Sequence, residues 1–540
     1  MIKRIVVVGG GFAGWYTAAC LQYKCPGLAI TLIESPNVPR LRVGETLGFG
    51  ASGLFAENFG LTNERELMRQ TGSIYKLGVH TEKFFSDTES IAHGHSRNIS
   101  VSDVMHTDNP RNLTFGGDIP HWTDKKPSKF NGIYESWISL NPHASESRAE
   151  KFVNEIYDCT HFCLNPIVPF DENNEMIMRS SHSYHFDAEE MVSLVKNTAL
   201  KRNTNARFQH IVGNVTDVDI DPNGSISGLL VGDQQRITGD LYIDCSGLSR
   251  VLAKRTHQKY WIDLEGFNNS AWVCPTKYED PEKEMICSTK LIGEDYGWRF
   301  LINLYHRQGN GYVFNDNFVD SKIIGDNLDQ LTKHRQLVAP RLIKWNPGMY
   351  ERPWVNNCLV LGVASNFFDP WDAPVFSEHN FDIKDLIEVV NSEAQGLFLQ
   401  TLITNFNDRS VHRSQERQIR VLIAHGLSKR SGAYWDHVRN FANQTKVFEK
   451  FENLLTTCPG FNIYAKTMVL TNIDISKWNL PQLTEHDLQR AQQYFDLQKS
   501  RNEQIRAKSW PNSYQWLKSN LFGGATSQEI YEEFNHRQTC

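Results

Sequence analysis

The sequence predicts a mixed α/β fold, α+β overall, with a parallel sheet at its N-terminal end and helices over residues 386–540. Three observations predict it. A short apolar, β-branched run, Ile5–Val8, leads straight into a glycine cluster and then into a helix-forming stretch. A second apolar run follows and ends in an acid. Towards the C-terminus the apolar spacing becomes that of helices.

Ile5-Val6-Val7-Val8 has the composition of a strand buried on both faces. Gly9-Gly10-Gly11-Phe12-Ala13-Gly14 follows it, and Trp15 to Leu21 suits a helix. A dinucleotide site needs this order: Gly9 for the tight turn, Gly11 for close approach of the pyrophosphate, Gly14 for packing of helix on strand. The free N–H groups of the helix N-terminus then face the phosphates. Ala29 to Ile33 reads as the second strand and ends in Glu34, placed to accept hydrogen bonds from an adenosine ribose. A glycine-rich turn alone is common in α/β proteins; strand, turn, helix and acid together point to a nucleotide. They do not separate FAD from NAD.

From about Ser86 to Lys129 the chain is polar and without periodicity, and is expected to be a long loop or insertion. His93-Gly94-His95 within it lacks a third ligand and reads as solvated. Near the C-terminus, Phe448, Phe451 and Leu455, and Leu488, Ala491 and Phe495 behind a capping Thr484, mark the core stripes of helices. Tyr434, Trp435, Tyr514 and Trp516 read as core, the alternative being rings that line an aromatic pocket.

Composition narrows the function. The chain has 540 residues, 40% of them hydrophobic and 22% charged, so a large core is available and disorder is not the default. A formal charge of -6 leaves no cationic excess for phosphate backbones, which argues against nucleic acid. The ten cysteines are scattered, and Cys159 with Cys163 has no second pair to complete a zinc site. No membrane span or signal peptide is legible, so reducing cytoplasm is the expected setting.

Further motifs carry a resemblance. Arg42-Val43-Gly44-Glu45-Thr46 and Gly72-Ser73-Ile74-Tyr75-Lys76-Leu77-Gly78, after the glycine cluster, are similar to the N-terminal motifs of the flavin-dependent halogenases, specifically the tryptophan-halogenase-like group. The similarity continues through Ser183-Tyr184-His185-Phe186-Asp187-Ala188, Ile243-Asp244-Cys245-Ser246-Gly247, Arg307 to Phe314, and Ala424-His425-Gly426 to Tyr434-Trp435. It implies a flavoprotein-monooxygenase-like fold. Residues 1–385 would form the FAD-binding and halogenation module with an inserted β-sheet substrate region, and 386–540 the helical region.

What the resemblance implies for the site is specific. FAD, supplied reduced by a separate flavin reductase, would contact Gly9, Gly11, Phe12, Ala13, Gly14, Glu34, Arg42, Val43, Glu45, Val215 and Val363. Oxygen and a halide ion would give hypohalous acid, which reaches Lys76, in the place of the family's essential lysine. An ammonium there can hydrogen-bond the oxidant and sharpen its electrophilicity, and a neutral amine can form a haloamine; both remain open. Asp372 takes the position of the family's catalytic glutamate, as general base or to orient the oxidant, and Pro374 and Val375 that of the halide-binding backbone pair.

Two departures stand out. The family's WxWxIP signature is here Trp298-Arg299-Phe300-Leu301-Ile302-Asn303, and Pro374 has no N–H to offer a halide. The second favours bromide or iodide over chloride. The expected substrate is a small electron-rich aromatic molecule such as an indole or phenol. The rival readings are an aromatic hydroxylase of the same fold and a non-catalytic FAD-binding protein.

Overall fold

A computed structural model describes residues 1–38, 44–46, 55, 57–61, 63–94, 137, 139–141, 148–157, 159–177, 182–204, 207–232, 235–264, 268–371, 375–447 and 484–539. Its N-terminal layer is a six-stranded sheet in the order Trp354–Val355, Cys358–Val360, Leu241–Asp244, Arg4–Val8, Ala29–Glu34, Phe208–Val212. Every pairing in it is parallel except that of the edge strand Trp354–Val355. Ile5, Val6, Val7 and Val8 are all buried, as a central parallel strand covered on both faces requires. Helix Phe12–Lys24 starts three residues earlier than Trp15 and packs on one face, with Trp15 and Tyr16 fully buried.

A second, mainly antiparallel sheet of seven strands lies beyond it. Its order is Arg341–Lys344, Ser270–Thr276, Gln308–Phe314, Gly297–Asn303, Ser288–Glu294, Gly78–Glu82, Ser90–Gly94. The last strand corrects the expectation of a loop from Ser86. Ser90–Gly94 is an edge strand hydrogen-bonded to Gly78–Glu82, with Ile91 and Ala92 buried. Five residues with two apolar side chains are too few to show a period, and a short polar edge is held by its ladder rather than by its pattern. Residues 95–129 of that stretch, and His95, lie outside the described residues.

Between the two sheets sits a small antiparallel one, Gly44–Thr46, Ser183–Asp187, Ile74–Lys76, with Ser183–Asp187 in the centre. The C-terminal half is helical: Val375–Ala394, Leu399–Gly426, Ala433–Gln444, Glu485–Ala507, Ser513–Asn520 and Ser527–Thr539. The first of these runs unbroken across residue 385, where the sequence suggests a division. Thr484 accepts from the Leu488 N–H at the start of its helix, and Ala491 and Phe495 are buried. Phe448, Phe451 and Leu455 lie outside the described residues.

The tail is sewn back onto the body. Trp516 stacks on Phe170 at 3.7 Å and donates to Asn174 Oδ1 at 2.6 Å, while Phe522 stacks on Tyr305 at 3.7 Å. Tyr434, Trp435, Tyr514 and Trp516 are all core residues.

Candidate active site

The glycine cluster is a set of close backbone approaches. Gly9 has φ +131, and a Cβ there would sit 2.2 Å from the Cys245 carbonyl oxygen; one on Gly14 would sit 1.8 Å from the Gly9 oxygen. A Cβ on Gly11 would meet nothing within 4 Å, so open space lies in front of it. Gly11 caps helix Phe12–Lys24 with no side-chain hydrogen bond, and the first turn carries no acid. The helix therefore presents free N–H groups and the positive end of its dipole to that space, which fits a pyrophosphate.

Glu34 ends the second strand beside this loop, with a Cβ on Gly10 falling 2.1 Å from its Cγ. Its carboxylate accepts from His210 at 2.9 Å and lies 3.6 Å from Lys196. A carboxylate only accepts, which is the chemistry that ribose hydroxyls need. Gly213 donates to the Glu34 carbonyl at 2.9 Å, which brings Val215, first residue of Val215–Ile220, to the same edge.

Val363 comes to the loop from far along the chain. It lies in the turn Gly362–Ala364, and a Cβ on Gly362 (φ +64) would be 3.0 Å from the Ala13 Cβ. Phe376 packs on Phe12 with ring centroids 4.2 Å apart, and the His379 Nε2–H reaches the Ala13 carbonyl at 3.1 Å. Burial holds His379 down at about 4, so it is neutral at ordinary pH. The glycine loop, the 362–364 turn and the start of helix Val375–Ala394 thus converge.

Lys76 and Glu45 flank the same strand on opposite faces. Lys76 pairs with Ser183 and Glu45 with Phe186, and residues opposite one another in an antiparallel ladder share a face. Phe186 lies against Phe376 (4.8 Å) and Phe12 (6.4 Å), so Glu45 is on the side of the glycine loop. Burial raises its carboxyl to about 8. Lys76, only 5% exposed, is on the side of His185. His185 is within 3.1 Å of the Asn303 carbonyl, which can only accept, so Nδ1 carries the proton and Nε2 accepts from the Thr289 hydroxyl at 2.8 Å. Burial, with the Lys76 charge added, holds His185 well below its ordinary range and neutral.

The altered signature has a local explanation. Trp298-Arg299-Phe300-Leu301-Ile302-Asn303 forms the strand Gly297–Asn303. Asn303 Nδ2 donates to the carbonyls of Glu284 and Ile286, each at 3.0 Å, and Oδ1 accepts from Gln308 at 3.0 Å. Asparagine here ties its strand to the backbone at 284–286 and to the Gln308 side chain of the neighbouring strand, in a way proline cannot. Trp298 is buried in a second aromatic core with Phe84, Trp371, Tyr434 and Trp435.

The segment expected to bind halide is described only at its flanks. Asp372 and Pro374, like Arg42 and Val43, lie outside the described residues, and Val375 opens the helix Val375–Ala394. On the near flank Asp369, 2% exposed, accepts from the Trp371 N–H at 2.9 Å and from Asn268 Nδ2 at 2.7 Å. Burial raises its carboxyl, offset in part by His425 and these donors. Asp369, Asn268 and His379 were not singled out from sequence. Asn268 lies 101 residues from Asp369, so no local spacing could have linked them.

The small sheet carrying Lys76 is anchored at Asp187, which caps helix Ala188–Arg202 and takes two guanidinium bonds from Arg307 at 2.6 and 3.0 Å. His306 adds a contact at 3.1 Å. Burial pushes the Asp187 carboxyl up, but Arg307 and His306 outweigh it and hold it well below the usual carboxylate range. Among the described residues no cluster of three metal-ligating side chains occurs, and no helix is long and apolar enough to cross a membrane. Cys159 and Cys163 are buried and in no disulfide.

A parallel sheet, a helix N-terminus without a side-chain cap behind a glycine turn and an acid at the second strand define a Rossmann-like dinucleotide-binding fold, which the flavin-dependent halogenases share. The model of the tryptophan halogenase family matches residues 4–468, and the chain belongs to that family. It is 25% identical to tryptophan 6-halogenase ThaL of Streptomyces albogriseolus over 428 residues, covering 74% of this chain and 75% of that protein. It is also 25% identical to tryptophan 7-halogenase RebH of Lentzea aerocolonigenes over 382 residues, 69% of this chain and 67% of that one. Among solved structures, a flavin-dependent halogenase from Xanthomonas campestris superposes with a TM-score of 0.75 at 20% identity, over 96% of this chain and 98% of that one.

Proposed function

We propose that this enzyme uses reduced FAD, oxygen and a halide to make hypohalous acid and halogenates an electron-rich aromatic small molecule. The observation that carries the reading is Lys76: a lysine in the family's motif, buried on a strand whose neighbour packs through Phe186 against the glycine loop. FAD, held in this site and reduced by a separate reductase, would supply two electrons to oxygen, which takes two more from the halide to leave hypohalous acid and water. The chain's residues supply the rest. Gly9 to Gly14 hold the pyrophosphate, Glu34 the ribose, and Val363, Arg42, Val43, Glu45 and Val215 border the cofactor.

At the substrate, the Lys76 ammonium donates to the oxygen of hypohalous acid, drawing electron density from the halogen. A ring carbon attacks the halogen, the halogen–oxygen bond breaks, and the oxygen leaves as water after taking a proton. Asp372 accepts the ring proton, restoring aromaticity. With Pro374 one backbone donor to the halide is absent, so the more easily oxidised bromide and iodide are the better co-substrates. Relatives named for tryptophan make an indole a natural first substrate, with phenols alongside. The hydroxylase reading loses force because the altered signature at Asn303 is accounted for by local hydrogen bonding.

The test is mass spectrometry of an indole and phenol panel incubated with the protein, FAD, a flavin reductase and equimolar chloride, bromide and iodide. Halogenated products dominated by bromine or iodine are expected. Hydroxylated products would establish the hydroxylase, and a clear preference for chloride would remove the role given to Pro374.

A further inference from the structure

Arg250 is at once buried and strained. It ends the short turn Gly247–Ser249 in the left-handed region, with φ +46, a conformation usually left to glycine. Among the described residues Lys83, Asn174, Asn356 and Lys446 also have positive φ without being glycine, but only Arg250 of the five is buried. Its Nη2, moreover, is buried without a hydrogen-bond partner. Neither feature stabilises the fold, so the residue is kept for what its other atoms hold.

What they hold is the turn that carries Val363. Nε donates to the Ala364 carbonyl at 3.2 Å, and the guanidinium lies 3.8 Å from the centre of the Trp261 ring. Trp261 is fixed in turn by its indole N–H on Asp263 at 2.8 Å and by an edge-on contact with Tyr350 at 4.9 Å. Tyr350 donates its backbone N–H to the Ser365 carbonyl at 3.0 Å, so the turn is held from two sides. The sheet shows which end of a dinucleotide the turn meets. Ala29–Glu34, Arg4–Val8, Leu241–Asp244 and Cys358–Val360 are neighbouring parallel strands, and their C-terminal ends bring Glu34, Gly9, Cys245 and Leu361 side by side in that order. Adjacent strands lie about 4.8 Å apart. A dinucleotide with its adenosine at Glu34 and its pyrophosphate at the glycine loop therefore extends its other end towards Gly362–Ala364, on the far side of the loop from Glu34.

We propose that Arg250 is a positioning residue for the flavin end of the cofactor: by tying the Ala364 carbonyl to the shelf made by Trp261, it sets the turn at 362–364 against which that end lies. The inference rests on the reading of the chain as an FAD-dependent halogenase. Arg250→Gly is the informative variant, because glycine accepts φ +46 without strain and removes only the side chain.

The experiment measures the dissociation constants of FAD and of ADP for the unaltered protein, Arg250→Gly, Trp261→Leu and Trp261→Phe, together with the visible absorbance of bound FAD and the halogenated product per reduced flavin. In Arg250→Gly, FAD is expected to bind about tenfold to a hundredfold more weakly, the range for losing one hydrogen bond from a charged donor. ADP, which ends at the glycine loop, binds as before and so reports an intact fold. The absorbance of the FAD still bound shifts, and product per flavin falls. Trp261→Leu weakens FAD in the same sense by less, and Trp261→Phe, which keeps a ring beneath the guanidinium, restores it. FAD binding in Arg250→Gly equal to that of the unaltered protein, or an equal loss for FAD and ADP, would overturn the proposal. FAD binding without halogenated product from the unaltered protein would overturn the halogenase reading alone, and no FAD binding by it would overturn both.

Discussion

The glycine loop at 9–14 and the segment at 362–378 meet in space but are built in different ways. The first is made of backbone. Its glycines are there because a Cβ at Gly9 or Gly14 would strike a carbonyl 2.2 or 1.8 Å away, and the helix begins at Gly11 without a side-chain cap. The second is held by side chains from afar: Arg417 reaches Asn366 across 51 residues, and Asn268 reaches Asp369 across 101. A cofactor common to many chemistries is met by local backbone geometry. The second segment is held by long-range ties that can change one residue at a time.

The contrast can be broken most severely at the loop. Gly14→Ala puts a methyl group onto a backbone oxygen that cannot move aside. We expect FAD affinity, measured by equilibrium dialysis, to fall by about a hundredfold or more, or about 3 kcal/mol at about 1.4 kcal/mol per tenfold. Gly11→Ala sharpens the point. The free protein tolerates it because the site is open, so any loss of FAD binding there reports the cofactor's own approach.

Next comes the anchor of the sheet between the two regions. Asp187→Asn leaves the buried Arg307 guanidinium without its anion, and urea unfolding should show a loss of about 3–5 kcal/mol. Because the folded carboxyl is depressed, the stabilisation is fully present above the unfolded carboxylate value of about 3.9 and fades as pH falls below it. Asp187→Asn should flatten that acid limb of the stability curve. The smallest effect belongs to the halide position. Pro374→Thr restores a backbone N–H, and competition between halides should move towards chloride by about tenfold, the worth of one hydrogen bond to a charged group.

Much of the loop was legible in the sequence, and little of the other region's support was. Ile5–Val8, the glycines, the helix and Glu34 are contiguous, and each obeys a local rule of sterics or periodicity. Lys76 was legible only through its motif, since a lysine in a three-residue strand has no pattern of its own. Ser90–Gly94 was missed because an edge strand owes its form to its neighbour's hydrogen bonds. Arg417, Asn268 and Asp369 were missed because a clamp between distant residues leaves no spacing to read. Asn303 departs from the family's signature, and its side chain ties its strand to the backbone at 284–286 and to Gln308.

The central claim, that Lys76 delivers the halogen, is tested most directly by Lys76→Ala in a product balance under bromide. Brominated indole or phenol and hydrogen peroxide are measured together against reduced flavin consumed. The account predicts that the brominated product falls at least about a hundredfold, within the range lost with a catalytic proton donor, while flavin is still oxidised. Bromination by Lys76→Ala at the unaltered rate and position would contradict it.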